Sequence, residues 1–259
     1  MILNIEAYLH YYFEQPSDLI LQLEASKTGQ QKILNANIAF SKIENFVRVP
    51  TEAGIGDRLL LRTEDHFSCR YTSRIEIERK PTDIASLPAT PIHLLPGEAI
   101  RYLMPSRYCP SDEFQAFVSS DFGNLNGGAR IAALSEWIHD HFAYVPGSSN
   151  AQTTALHTFV QRRGICRDFA HLLVTLARAS AIPARFTSVF APFVNPQDFH
   201  AVAEVFLDGA WHLVDPTKMA HQEDIAIIGV GMDAAEVAFM TSYGFAEFRE
   251  QSVSVSVEA

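Results

Sequence analysis

Arg162-Arg163-Gly164-Ile165-Cys166-Arg167-Asp168-Phe169-Ala170-His171-Leu172-Leu173 sets a cysteine just after a glycine, at the head of an apolar periodic run. Phe169, Leu172, Leu173 and Leu176 recur at i, i+3, i+4 and i+7, the spacing of one buried helical face. Gly164 lets the backbone turn where a side chain would obstruct, which places helix entry near Ile165. A thiol at that point meets unpaired backbone N–H groups and the positive end of the helix dipole, which favour thiolate over thiol. Read alone, Cys166 fits a small buried hydrophobe better than a nucleophile, since free cysteines are among the most buried residues.

A second stretch raises the chemical reading. Residues 199–207 and 210–214 are two strand candidates joined by Asp208-Gly209, one of the strongest short hairpin signals. With those two as the loop, Leu207 pairs with Ala210 and Val202 lies opposite Asp215. Alternation then puts His200, Val202, Glu204 and Phe206 on one face with Trp211, Leu213 and Asp215. His200 becomes the diagonal neighbour of Asp215, at about 7–8 Å between backbone positions, within reach of an imidazole–carboxylate contact. A carboxylate on the far ring nitrogen would fix the tautomer, leaving the imidazole to take the thiol proton of Cys166. Each residue has a plain alternative: a satisfied strand-end histidine, and a turn aspartate before Pro216. His212 points to the opposite face, and Glu204, four residues along, reads as structural.

Outward from these stretches the chain divides. Residues 2–79 have the texture of short strands separated by turns, a β-sandwich pattern. Pro81, Pro88, Pro91, Pro96, Pro105 and Pro110 crowd residues 80–110, so no long periodic element crosses them and a domain boundary is placed there. Helical period follows: Ser111 opens a helix carrying Phe114, Phe117 and Val118, broken at 124–128. Ile131, Leu134, Trp137, Ile138 and Phe142 line a second helix, and Thr153 or Thr154 caps a third. His139 and His141 point to different helix faces and do not suggest a metal pair. Residues 185–190, 224–230 and 252–257 are expected to join the hairpin in one sheet.

Composition bounds the function. With 259 residues, 47% hydrophobic and 19% charged, the chain has the composition of a soluble globular protein with ample core. A net charge of −10 argues against nucleic acid or anionic membrane as a partner. The first residues show no signal-peptide pattern, and no apolar run approaches the roughly 18 residues of a membrane span. Cys69, Cys109 and Cys166 do not make a disulfide framework, so a reducing cytoplasm is expected.

Gly164-Ile165-Cys166-Arg167-Asp168-Phe169-Ala170-His171, Ile182-Pro183-Ala184-Arg185, His200-Ala201 with Glu204-Val205, and Trp211 with Asp215-Pro216-Thr217 together resemble the transglutaminase-like superfamily. In particular they resemble its bacterial members often regarded as cysteine proteases. Tyr144-Val145-Pro146-Gly147 is similar to a loop that often precedes the cysteine segment, and the β-rich N-terminal half resembles a domain that commonly accompanies this family. The resemblance implies an α+β fold: an N-terminal β-sandwich over residues 1–95, then a papain-like transglutaminase core of helices on an antiparallel sheet over residues 96–259. It implies Cys166 as nucleophile, His200 as general base and acid, and Asp215 orienting the histidine, with chemistry at an amide or acyl carbon through a thioester. Two residues depart from the family pattern: Val202 stands where tryptophan is common, and Arg167 where glutamine is frequent.

The expected function is therefore a cysteine-nucleophile enzyme on amide or peptide bonds, hydrolytic rather than cross-linking, with a peptide or protein amide as substrate. No cofactor and no metal are expected, since no acidic cluster has calcium-loop spacing. The alternative is a non-catalytic binding or scaffold module with a vestigial site. The backbone N–H of Cys166 is the expected oxyanion donor; a second donor is not legible.

Overall fold

The computed structural model of the chain describes residues 1–258. Four strands come first: β1 (Ile2–Leu21), β2 (Gln31–Phe40), β3 (Glu44–Pro50) and β4 (Asp57–Ile77). After a segment of 3₁₀ turns and the single turn α1 (Gly97–Ile100), the helical region holds α2 (Gln115–Phe122), α3 (Gly127–His141), β5 (Ala143–Tyr144), α4 (Ala155–Gln161) and β6 (Arg163–Gly164). Then come α5 (Cys166–Ala179), β7 (Ala184–Phe190), β8 (His200–Leu207), β9 (Ala210–Val214), β10 (Ala226–Gly231), β11 (Met240–Ser242) and β12 (Glu247–Val257). The fold is α+β, with antiparallel sheets and helices. No helix among the described residues is long and apolar enough to cross a membrane.

The N-terminal layer is one six-stranded sheet in two sections that share β1 and β4. β12, β1, β4 and β2 form one section; β11, β1, β4 and β3 form the other. Runs that read as separate short strands are thus continuous. β1 passes through Glu14-Gln15-Pro16 at a register irregularity between Phe13 and Ser17, where proline's missing N–H leaves no ladder bond to break. Alternate residues of both sections (Leu3, Ile5 and Leu9; Leu19, Leu59 and Leu61) bury into a single core, which Phe190, Ala226 and Ile228 of the second sheet also enter.

Residues 252–257 do not join the second sheet. β12 pairs with β1 over ten residues, bringing Val253 and Val255 opposite Ala7 and Ile5. The reason is physical: β7, β8 and β10 are buried at every residue, whereas β12 alternates buried valine with exposed serine and suits a sheet with one solvent face. The proline-bearing segment, for its part, lies against the second half. Ala89 bridges Leu207, the N–H of Asp208 donates to Pro88 O, and that of Gly209 to Thr90 Oγ1 at 3.0 Å.

The second sheet has the order β10-β7-β8-β9, antiparallel throughout, with α5 packed on β8 and β7 and enclosed by α3 and α4 on its other side. Every residue of α5 from Asp168 to Arg178 is buried, so the helix is central rather than one-faced. α3 starts at Gly127, earlier than its apolar pattern suggests. A Cβ on Gly128 would stand 1.7 Å from Ile84 O, so glycine here permits close backbone approach rather than breaking the helix. Of the two threonine candidates, Thr154 caps α4.

Candidate active site

The head of α5 is built by Asp168. Its Oδ2 accepts the backbone N–H of Ile165 at 2.9 Å, and Oδ1 accepts from the Arg167 guanidinium at 3.0 Å. Gly164 makes room for this: a Cβ there would lie 2.6 Å from the Asp168 Cβ. The glycine therefore supplies space where a side chain would obstruct, and the left-handed residue lies two earlier at Arg162, with φ of 55°. Arg167 also donates to Asn150 O at 2.7 Å, tying the 146–150 loop to the helix head. Cys166, the first residue of α5, is half-buried, with its sulfur 4.0 Å from Phe199 O.

The hairpin has the register its turn dictates. Leu207 pairs with Ala210 and the ladder runs to Ala203 opposite Val214, with Asp208 and Gly209 both at positive φ. Continuing that ladder by one step sets Val202 opposite Asp215. His200 Nε2 lies 2.9 Å from Asp215 Oδ2, and the two side chains are 0% and 1% exposed. Glu204, on the same face, is an ion-paired structural residue: Arg185 donates to it at 2.7 Å and stacks over Trp211. His212 turns away and meets Leu207 O. Val202 is a fully buried aliphatic core residue where the family commonly has tryptophan.

Asp215 is held in a nest of donors. Beyond His200, it accepts from Thr217 N and Oγ1, from Met219 N, and from Ala220 N at 2.9 Å. It is a turn residue and a histidine partner at once. Burial opposes its charge, but His200 and Thr217 outweigh that and hold the carboxyl below its ordinary value. Burial likewise opposes a charge on His200, yet Asp215 and the neighbouring Cys166 overcome it, and the imidazole is pushed up to about 10. Nδ1 of His200 has no hydrogen-bond partner in the protein. The sulfur is thus near enough to raise the proton affinity of the imidazole without a well-formed hydrogen bond to it.

Tyr144 is the site residue whose position sequence reasoning missed. The two-residue strands β5 and β6 pair in parallel, Tyr144 beside Gly164, and set Tyr144 in the wall of the cleft that Cys166 lines. Burial first, then Cys166, pushes the phenol pKa up, so it stays a neutral donor. Two-residue strands carry no periodicity, and the only signal was the loop resemblance. His171, also in the cysteine stretch, is fully buried between Tyr108 and Phe186, and its Nε2 accepts the N–H of Ala234. Burial, with Arg167 and Arg178 nearby, pushes its pKa well down. It packs and orients rather than reacts. Cys69 and Cys109 are buried elsewhere, and burial pushes their thiols up to about 12 and about 11. Among the described residues no group of three or more His, Cys, Asp or Glu is placed to hold a metal ion.

Cys166 and His200 line a cleft of about 540 Å³, and Asp215 is buried against the histidine. The profile of the Transglutaminase-like superfamily matches residues 117–216, which hold all three. The chain superposes on the crystal structure of a presumed cysteine protease from Cytophaga hutchinsonii with a TM-score of 0.94 and 32% identity, covering 99% of this chain and 90% of that one. An uncharacterised protein of Mycobacterium leprae is 29% identical over 147 residues, 52% of either chain. One from Mycobacterium tuberculosis is 26% identical over 141 residues, 48% of this chain and 45% of that one. The chain spans about half the length of these curated relatives.

Proposed function

Because the chain belongs to the transglutaminase-like superfamily, we propose that it is a cysteine-nucleophile hydrolase of amide or peptide bonds, with Cys166, His200 and Asp215 as its triad. The observation that carries this is the buried 2.9 Å His200–Asp215 pair set beside a half-buried thiol at a helix head. That geometry stabilises an imidazolium next to the sulfur, as nucleophilic attack requires.

The thiolate of Cys166 attacks the carbonyl carbon, and the carbonyl π electrons move to oxygen. The backbone N–H of Cys166, at the first position of α5 where helix donors lack intrahelical partners, faces that oxyanion. The Tyr144 phenol O–H is the second donor in this reading. As the C–N bond breaks, His200 gives its Nδ1 proton to the departing amine, leaving a thioester. Water then loses a proton to Nδ1 and attacks the thioester; the carboxylic acid departs and the sulfur is regenerated with the imidazolium. Asp215 keeps Nε2 protonated and oriented throughout. Water rather than an amine as the acceptor is supported by the presumed protease character of the Cytophaga protein, which matches this chain over nearly its whole length.

The test is alkylation by iodoacetamide with mass-spectrometric mapping. Selective labelling of Cys166, slowed about 100-fold in His200→Ala, is the expected result. Labelling of Cys166 at the same slow rate in the wild type and in His200→Ala would show a non-catalytic module instead.

A further inference from the structure

Resting on the reading of Cys166 as nucleophile, we infer that the apolar basin beside its sulfur is the acyl-side specificity pocket, built for an uncharged branched or aromatic side chain. Cys166 packs directly on a small buried cluster containing Phe186, Ala201 and Val237, with Ala234 at its edge. Ala238 and Phe239 continue the wall of the cleft, where Phe239 stacks on Phe199 at 4.6 Å and 3° between planes. The alanines leave room that larger residues would fill.

Most polar side chains around this cleft are already engaged, and Asp198 is the one carboxylate in its lining that no cation among the described residues pairs. Gln251 donates to Asp198 at 2.6 Å, Ser188 to Gly229 O at 3.5 Å, and Arg167 to Asn150 and Asp168. An anionic substrate group entering the basin would lose water and find no unpaired cation among the described residues; an apolar one would lose only unfavourable hydration.

The pocket is also preformed. Its wall, residues 232–239, is fastened by four hydrogen bonds from three side chains. Asp233 accepts from Tyr108 N and Ala235 N, both at 2.9 Å. His171 accepts from Ala234 N, and Arg178 donates to Met232 O at 2.6 Å. Asp233, His171 and Arg178 are each nearly or fully buried. A wall held this way keeps its shape without substrate, so side-chain selection costs little ordering.

The experiment measures second-order alkylation rates of Cys166 by N-acetyl-peptidyl chloromethyl ketones. The variable residue stands at the acyl position or one before it, and is Gly, Ala, Leu, Phe, Asp or Lys. Each rate is divided by the iodoacetamide rate, which reports the thiol without a side chain. Leu or Phe is expected to exceed Gly and Asp by tenfold or more at one of the two positions. In Ala234→Leu, which fills the basin, that preference is expected to reverse toward Gly and Ala. Rates within twofold across the series at both positions, with Cys166 still singled out by iodoacetamide, would overturn the pocket and leave the nucleophile intact. Failure of iodoacetamide to single out Cys166 would overturn both. The wild-type series decides the matter even if Ala234→Leu does not fold.

Discussion

His200 Nε2 and Asp215 Oδ2 meet at 2.9 Å with both side chains almost wholly withdrawn from water. Asp215→Asn removes the charge while nearly preserving shape. It is expected to leave the melting temperature within a few degrees and to reduce turnover strongly, by less than the roughly 10⁴-fold of the equivalent serine-enzyme change, since cysteine enzymes as a class form their ion pair before attack. Cys166→Ala is expected to abolish turnover. Turnover and Cys166 alkylation are measured beside a melting curve; an unchanged Asp215→Asn variant would leave Asp215 a turn residue only.

The same pair sets a pH dependence of stability. His200 binds its proton more tightly folded than unfolded, so its contribution is complete below the unfolded value of about 6.5 and is lost as pH rises through about 10. Asp215 is shifted the other way: its contribution is present above about 3.9 and is lost as pH falls through its lowered value. Together they contribute most between about pH 4 and 6.5. Melting temperature followed from pH 6 to 10 is expected to fall more in the wild type than in His200→Gln. Parallel curves would contradict this linkage.

Tyr144→Phe removes one hydroxyl beside Cys166 while keeping the ring against Phe169. If the phenol donates to the oxyanion, kcat falls about 10–100-fold with KM nearly unchanged. A structural role would instead lower the melting temperature and spare kcat.

Thiol selectivity follows from burial. With Cys69 pushed up to about 12 and Cys109 to about 11, both are expected to resist iodoacetamide at pH 8 in the folded protein, and to react once guanidinium unfolds it. Peptide mapping before and after unfolding checks this. Early labelling of either would show that its site opens readily.

Val255 lies 3% exposed on β12, opposite Ile5. Val255→Asp buries an unpaired carboxylate in the N-terminal core and is expected to cost about 3–5 kcal/mol. Val257→Asp, at an exposed position of the same strand, is expected to cost less than about 0.5 kcal/mol. Urea unfolding of the two variants measures the difference; equal values would deny β12 its place in that core.

What the sequence determined by itself was local. The helix beginning at Cys166 was legible because the glycine and the apolar period lie within fifteen residues. The His200–Asp215 pairing was legible because Asp208-Gly209 dictates the register of its own hairpin. The order of the chemistry-bearing residues followed from those two readings. Tertiary structure decided the rest. Val253 and Val255 alternate with serine equally well for either sheet, and only the two-sided burial of β7, β8 and β10 excludes them from the second. Tyr144 reaches the cleft of Cys166 through a parallel pair too short to leave a pattern. Val237, Phe239 and Gln251 join the cleft from more than 70 residues beyond Cys166. Local rules specify a turn or a helix head through atoms a few bonds apart. A pocket wall is specified by the packing of segments whose sequence distance says nothing about their distance in space.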